Sequence, residues 1–123
     1  MTKKTYIDFY EQTETQIVSR EIRSTKEFFQ SRQALYLALG IVPSFISGRD
    51  VIEFGPGAGH NTLYTDSLRP RKLVLVDGVK KVLDAARKRL EGKGSSQTQR
   101  EYKLAYFEDY ASGDKYDLVI AEA

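Results

Sequence analysis

The chain has 123 residues, 41% of them hydrophobic, and its 19 Lys and Arg against 17 Asp and Glu leave a net charge of +2. That length fits one domain with an apolar core, and the charge gives no bulk signal for nucleic acid. With no Cys and one His, His60, the sequence excludes a Cys/His zinc site, a disulfide scaffold, a thiol nucleophile and an iron–sulfur cluster.

The N-terminus, MTKKTYIDFYEQTET, is polar and acidic and lacks the apolar core of a signal peptide. The longest apolar stretch, Ala34 to Ile46, is interrupted by Gly40, Pro43 and Ser44 and falls short of a membrane span. The expectation is a cytoplasmic domain with no membrane partner, and the absence of Cys suits a reducing compartment.

Residues 1–49 read as a helical segment and residues 50–123 as an α/β unit of the same domain. Scattered apolar positions from Tyr6 to Ile22 give one weak helix. Ser24 or Thr25 can cap the next, with Glu27 in its first turn, apolar positions at Phe28, Phe29, Leu35, Leu37 and Leu39, and Gly40 as its stop. A short helix is expected from Pro43 to Ser47, ended by Gly48. The pattern then changes to strands. Asp50–Phe54 is a short β-branched run ending in a glycine loop, and the following helix carries Leu63 and Leu68. Lys72–Asp77 is nearly continuous in apolar residues, as expected of a strand buried on both faces. Val79, Val82, Leu83, Ala86 and Leu90 recur at helical spacing, and Gly92–Gln97 reads as a loop. Tyr102–Phe107 and Asp117–Ala121 read as the third and fourth strands. The order β-α-β-α-β-loop-β predicts a parallel sheet with helical crossovers.

The chain stops directly after the fourth strand. Four strands and two helices make half of a doubly wound domain, so the expectation is a chain truncated at its C-terminus. The open edge of its last strand is then available for self-association.

The informative stretch is Glu53-Phe54-Gly55-Pro56-Gly57-Ala58-Gly59-His60-Asn61. A strand runs into a loop with glycine at alternate positions, and a helix follows. Glycine admits positive φ and close approach of a ligand, and the helix start offers free N–H groups to an anion. The loop is therefore a ligand cradle at the carboxyl end of a strand. The spacing is G-x-G-x-G, and His60 stands where the dinucleotide fingerprint G-x-G-x-x-G has its third glycine.

An acidic residue followed by this glycine pattern resembles the first motif of the class I S-adenosylmethionine-dependent methyltransferases. Asp77 closes the second strand eighteen residues after Gly59, where the family has its ribose-binding acid. Tyr106-Phe107-Glu108-Asp109 lies where the family binds adenine, and Tyr116–Glu122 resembles its fourth strand. The resemblance covers Val51 to Ala123. It implies a Rossmann-like parallel sheet in the order 3-2-1-4, a seven-stranded domain cut short here, and methyl transfer from S-adenosylmethionine to an unidentified acceptor. The cofactor residues it implies are Glu53, Phe54, Gly55, Pro56, Gly57, Gly59, Asn61, Asp77, Gly78, Phe107, Glu108 and Asp109, with no metal. Tyr106 departs from the family, which often has an acid there; the polar adenine contact then falls to Glu108 or Asp109. Methyl transfer needs a base only if the acceptor must lose a proton, and Glu122 is the candidate for one. Charge agrees with the resemblance: Glu53, Asp77 and Glu108 suit a cationic sulfonium better than a pyrophosphate.

Other readings stand beside this one. A nicotinamide-dinucleotide oxidoreductase would share the fold, and so would a non-catalytic Rossmann-like module that binds a partner through its sheet edge. His60 reads as a first-turn helix residue before a catalyst. Tyr6 and Tyr10 are candidates to fold over the cofactor. The basic run from Lys80 to Lys93 reads as the solvated face of an amphipathic helix before a nucleic-acid footprint, with Asp84 and Glu91 placed to pair with Lys88 and Arg87.

Overall fold

The structure, a computed structural model, describes residues 25–122; the expected helix from Tyr6 to Ile22 and the roles of Tyr6 and Tyr10 lie outside the described residues. Helix α1 runs from Thr25 to Ala38. Gly40 turns left-handed at φ 81°, which lets Ile41 N–H reach the Tyr36 carbonyl at 2.8 Å and Gly40 N–H reach that of Leu37 at 3.0 Å. This pair of bonds is a Schellman stop. The buried side of α1 is Phe29, Arg32 and Tyr36, three positions at helical spacing, whereas Leu35, Leu37 and Leu39 face solvent. Of the apolar positions expected of this helix, Phe29 lies on its buried face and the leucines do not. The short helix expected from Pro43 to Ser47 is a single 3-10 turn, Pro43–Phe45.

Four strands follow: β1, Asp50–Phe54; β2, Lys72–Asp77; β3, Gln99–Leu104; and β4, Leu118–Ala121. All pair in parallel in the order β3-β2-β1-β4. The order and both strand ends of β1 and β2 agree with the sequence reading. Helix α2, His60–Ser67, connects β1 to β2, and helix α3, Lys80–Lys93, connects β2 to β3. Leu68 falls just past α2. Gly92 and Lys93, expected in a loop, complete α3. Strand β3 begins and ends three residues before the expected Tyr102–Phe107. Its register, with Lys72 opposite Gln99 and Asp77 opposite Leu104, is set by β2 rather than by its own apolar pattern. At the sheet edge its polar residues stay partly solvated.

Side chains alternate across the sheet, and the two faces are packed differently. Val51, Leu73, Leu75 and Ile120 join Tyr36, Ile46, Tyr64, Leu83, Ala86 and Leu90 in one core under all three helices. Each fully buried Leu there contributes about 1.5–3 kcal/mol. On the other face Ile52, Val74 and Val76 are covered by Phe54, Ala105, Tyr110 and Tyr116, largely loop residues between β3 and β4. Among the described residues no helix is long and apolar enough to cross a membrane.

Candidate functional site

β1 delivers the chain into the glycine loop at the carboxyl end of the sheet. Gly55 N–H still bonds the Val76 carbonyl at 2.9 Å, one step beyond the strand, and the backbone then takes positive φ at Gly55, Gly57 and Gly59. Two of these glycines are required by close neighbours as well. A Cβ on Gly59 would lie 3.1 Å from Ala86 Cα, because the start of α2 is pressed onto α3. A Cβ on Gly55 would lie 3.2 Å from Phe107 Cζ. Arg89 of α3 donates to the Ala58 carbonyl and fastens the loop from the side.

Around the loop the structure gathers most of the residues expected at a site. Phe107 stacks edge-on against Phe54, centroids 5.5 Å apart, and Phe54 meets Tyr110 likewise at 5.7 Å. Tyr106 lies on Gly78, where a Cβ would be 3.0 Å from its ring. The segment after β3 thus crosses the carboxyl ends of β1 and β2. Glu108 and Asp109 are exposed on the single 3-10 turn that Phe107 opens. Pro56 is buried, and Asn61 is half-buried on the first turn of α2. Asp77, 8% exposed at the end of β2, accepts the Val79 N–H at 3.0 Å, which fixes the turn into α3.

Glu53 is placed differently from a pocket-lining acid. By alternation it shares the helical face with Val51, and it is 2% exposed. Among the described residues its donor is Thr62 of α2, Oγ1 to Oε1 at 3.0 Å. Burial pushes its carboxyl up to about 7, opposed by the Thr62 hydrogen bond; the nearby Glu122 pushes it further and Arg32 pulls it back. The carboxyl is thus turned toward α2 and away from solvent.

Glu122, the candidate base, is held by α1. Arg32 Nη1 donates to Oε2 at 3.0 Å and Nη2 to Oε1, and Tyr36 Oη donates to Oε1 at 3.1 Å. Tyr36 also lies 3.4 Å from Thr65 Oγ1, and burial raises its hydroxyl to about 12. Arg32, Tyr36 and Thr65 were not singled out by the sequence reading as site residues. The visible signal was an Arg and a Tyr four residues apart on one helix; their partner is 90 residues from Arg32. Burial, with Arg89 and Lys93 nearby, lowers His60 to about 4, so its ring is neutral at pH 7.

No protein-family profile matches this sequence, and no curated protein matches it. Solved structures do match. Protein arginine methyltransferase 10 of Arabidopsis thaliana is 24% identical, with a TM-score of 0.57, over 65% of this chain and 22% of that one. An S-adenosylmethionine-dependent methyltransferase of Clostridium acetobutylicum is 13% identical, TM-score 0.59, over 74% of this chain and 35% of that one. Phosphoethanolamine N-methyltransferase 1 of Haemonchus contortus is 16% identical, TM-score 0.60, over 98% of this chain and 26% of that one. The chain thus spans between about a fifth and a third of the lengths of these three proteins. What they share with it is the fold: the parallel β3-β2-β1-β4 sheet with helical crossovers has the Rossmann-like arrangement of the class I methyltransferases.

Proposed function

We propose that this chain binds S-adenosylmethionine across the carboxyl ends of β1 and β2 and serves methyl transfer to an acceptor. The observation that carries the reading is the positive-φ glycine loop with an acid at the end of each adjoining strand, Glu53 and Asp77. The residues fit the cofactor. The loop and the first turn of α2 offer N–H groups to its carboxylate, and Asp77 accepts from the ribose diol; such charge-assisted bonds contribute about 1.5–3 kcal/mol each. Phe107, with Phe54 behind it, gives adenine an aromatic neighbour, and Glu108 or Asp109 takes its polar edge. Glu53 acts on the ammonium by charge.

When bound, the cofactor supplies a sulfonium-activated methyl group. The chain's own task is to hold it in line with the acceptor. With both oxygens engaged by Arg32 and Tyr36, Glu122 is read as a structural carboxylate before an acceptor base. The acceptor belongs to the whole protein's activity, and no acceptor class is assigned.

Calorimetric titration with S-adenosylhomocysteine and, separately, NAD tests this reading. We expect the first alone to bind, with affinity reduced at least tenfold in Asp77→Ala. Binding of NAD instead would favour the oxidoreductase, whose pyrophosphate two nearby carboxylates disfavour. A second reading is a module that associates through β4, whose Val119 is 60% exposed on the face it shares with Ile52. Dilution-sensitive solution mass with no cofactor binding would favour it.

A further inference from the structure

The methyltransferase reading leaves a polar cluster unused: the buried Arg32, Tyr36 and Thr65 with the partly exposed Glu122, which link α1 to α2 and to the end of β4. The cluster adjoins Glu53. From α1, Arg32 and Tyr36 face that carboxyl; from α2, Thr62; from beyond β4, Glu122. Its register neighbours, Leu75 and Ile120, are apolar. Among the described residues two carboxyl groups are therefore opposed by one guanidinium. Arg32 is 7% exposed and gives both terminal nitrogens to Glu122, so among the described residues Glu53 keeps a neutral hydroxyl as its hydrogen-bond donor. A carboxylate in that position is costly.

We propose that α1 is a working part of the cofactor site: Arg32 is a positioning residue that holds Glu122 and thereby sets the charge on Glu53, and binding of the cationic cofactor drives the Glu53 proton into solvent. This rests on the S-adenosylmethionine reading. The proton leaves Glu53 for buffer as a positive ligand charge arrives at the loop in front of it, and no other group changes state. Affinity then rises with pH until Glu53 is ionised before binding, and is flat beyond that.

The test is titration of the full chain with S-adenosylmethionine, which carries the sulfonium charge that S-adenosylhomocysteine lacks, from pH 6 to 8, in buffer pairs of unlike ionisation enthalpy. In the wild type we expect more than half a proton released per site at pH 6.5 and close to none at pH 8. Glu53→Gln, nearly isosteric, abolishes the release. Arg32→Lys keeps the profile. Arg32→Met, shown folded by circular dichroism, moves the midpoint upward by at least one pH unit; if it does not fold, Glu53→Gln and Arg32→Lys decide. A wild type that binds with no release overturns the inference and leaves the cofactor reading intact. Release persisting in Glu53→Gln, or an Arg32→Met profile superimposable on the wild type, also overturns it. No binding at any pH overturns both.

Discussion

Two acids lie equally deep on the helical side of the sheet and are treated in opposite ways. Asp66 of α2, 0% exposed, is held by Arg100 of β3 through Nε to Oδ2 at 2.6 Å and Nη2 to Oδ1 at 2.9 Å, and Ser95 N–H adds a third bond at 2.5 Å. Glu53, at 2%, has Thr62 as its donor and shares one Arg with a second carboxylate. The first arrangement ties α2 to the start of β3 at the amino end of the sheet and leaves no charge unmatched. The second, at the carboxyl end beside the glycine loop, sets two carboxyl groups against one guanidinium among the described residues. A fold gains nothing from such an imbalance, and a site for a cationic ligand does.

The contrast breaks most readily at Asp66. Asp66→Ala strands the Arg100 guanidinium and should cost about 3–5 kcal/mol in urea unfolding; a loss below about 1 kcal/mol would make this pair no better than a surface one. Next is Glu53→Gln. The folded carboxyl keeps its proton up to about 7 against an ordinary 4.5. Its stabilising share is thus full below pH 4.5 and gone once the pH passes about 7. The Gln variant should match the wild type at pH 4.5 and exceed it by roughly 3 kcal/mol at pH 8; parallel thermal-melting profiles across that window would sink the contrast. Gly59→Ala comes third, with about 1–2 kcal/mol from its left-handed backbone plus the contact with Ala86. Gly92→Ala, in open space on α3, should instead stabilise by about 0.5–1 kcal/mol, so one pair of denaturation curves compares the two sites. The last effect, at His60, appears only in acid. Its ring resists protonation down to about 4, so its contribution is present above pH 6.5 and lost as the pH falls toward 4. His60→Gln should flatten that acid limb, which a melting series from pH 7 to 4 would show.

Much of this frame was legible in the residues. β1 and β2 are short apolar runs with clear polar or glycine ends, and neither can be anything but a buried strand. The glycine loop announced its own turn. β3 was misplaced because Gln99-Arg100-Glu101 looks like loop; its position comes from pairing with β2 and from the grip of Asp66 on Arg100, both non-local. α1 misled in part for a related reason, since Arg32 and Tyr36 join Phe29 on its buried side while its leucines face solvent. The Arg32–Glu122 contact joins the two ends of the described chain and has no local signature. The alternation that puts Glu53 on the face of Val51 was readable; how little solvent reaches it depends on three helices arriving above.

The press of Gly59 onto Ala86 has a genetic consequence. The space in front of the loop's last glycine is filled by a residue of a different helix, so enlarging Ala86 displaces the loop as surely as adding a side chain to Gly59. A saturation screen for lost stability should therefore return hits in the middle of α3, with Ala86→Val beside the glycines, and Ala86→Gly should partly relieve Gly59→Ala.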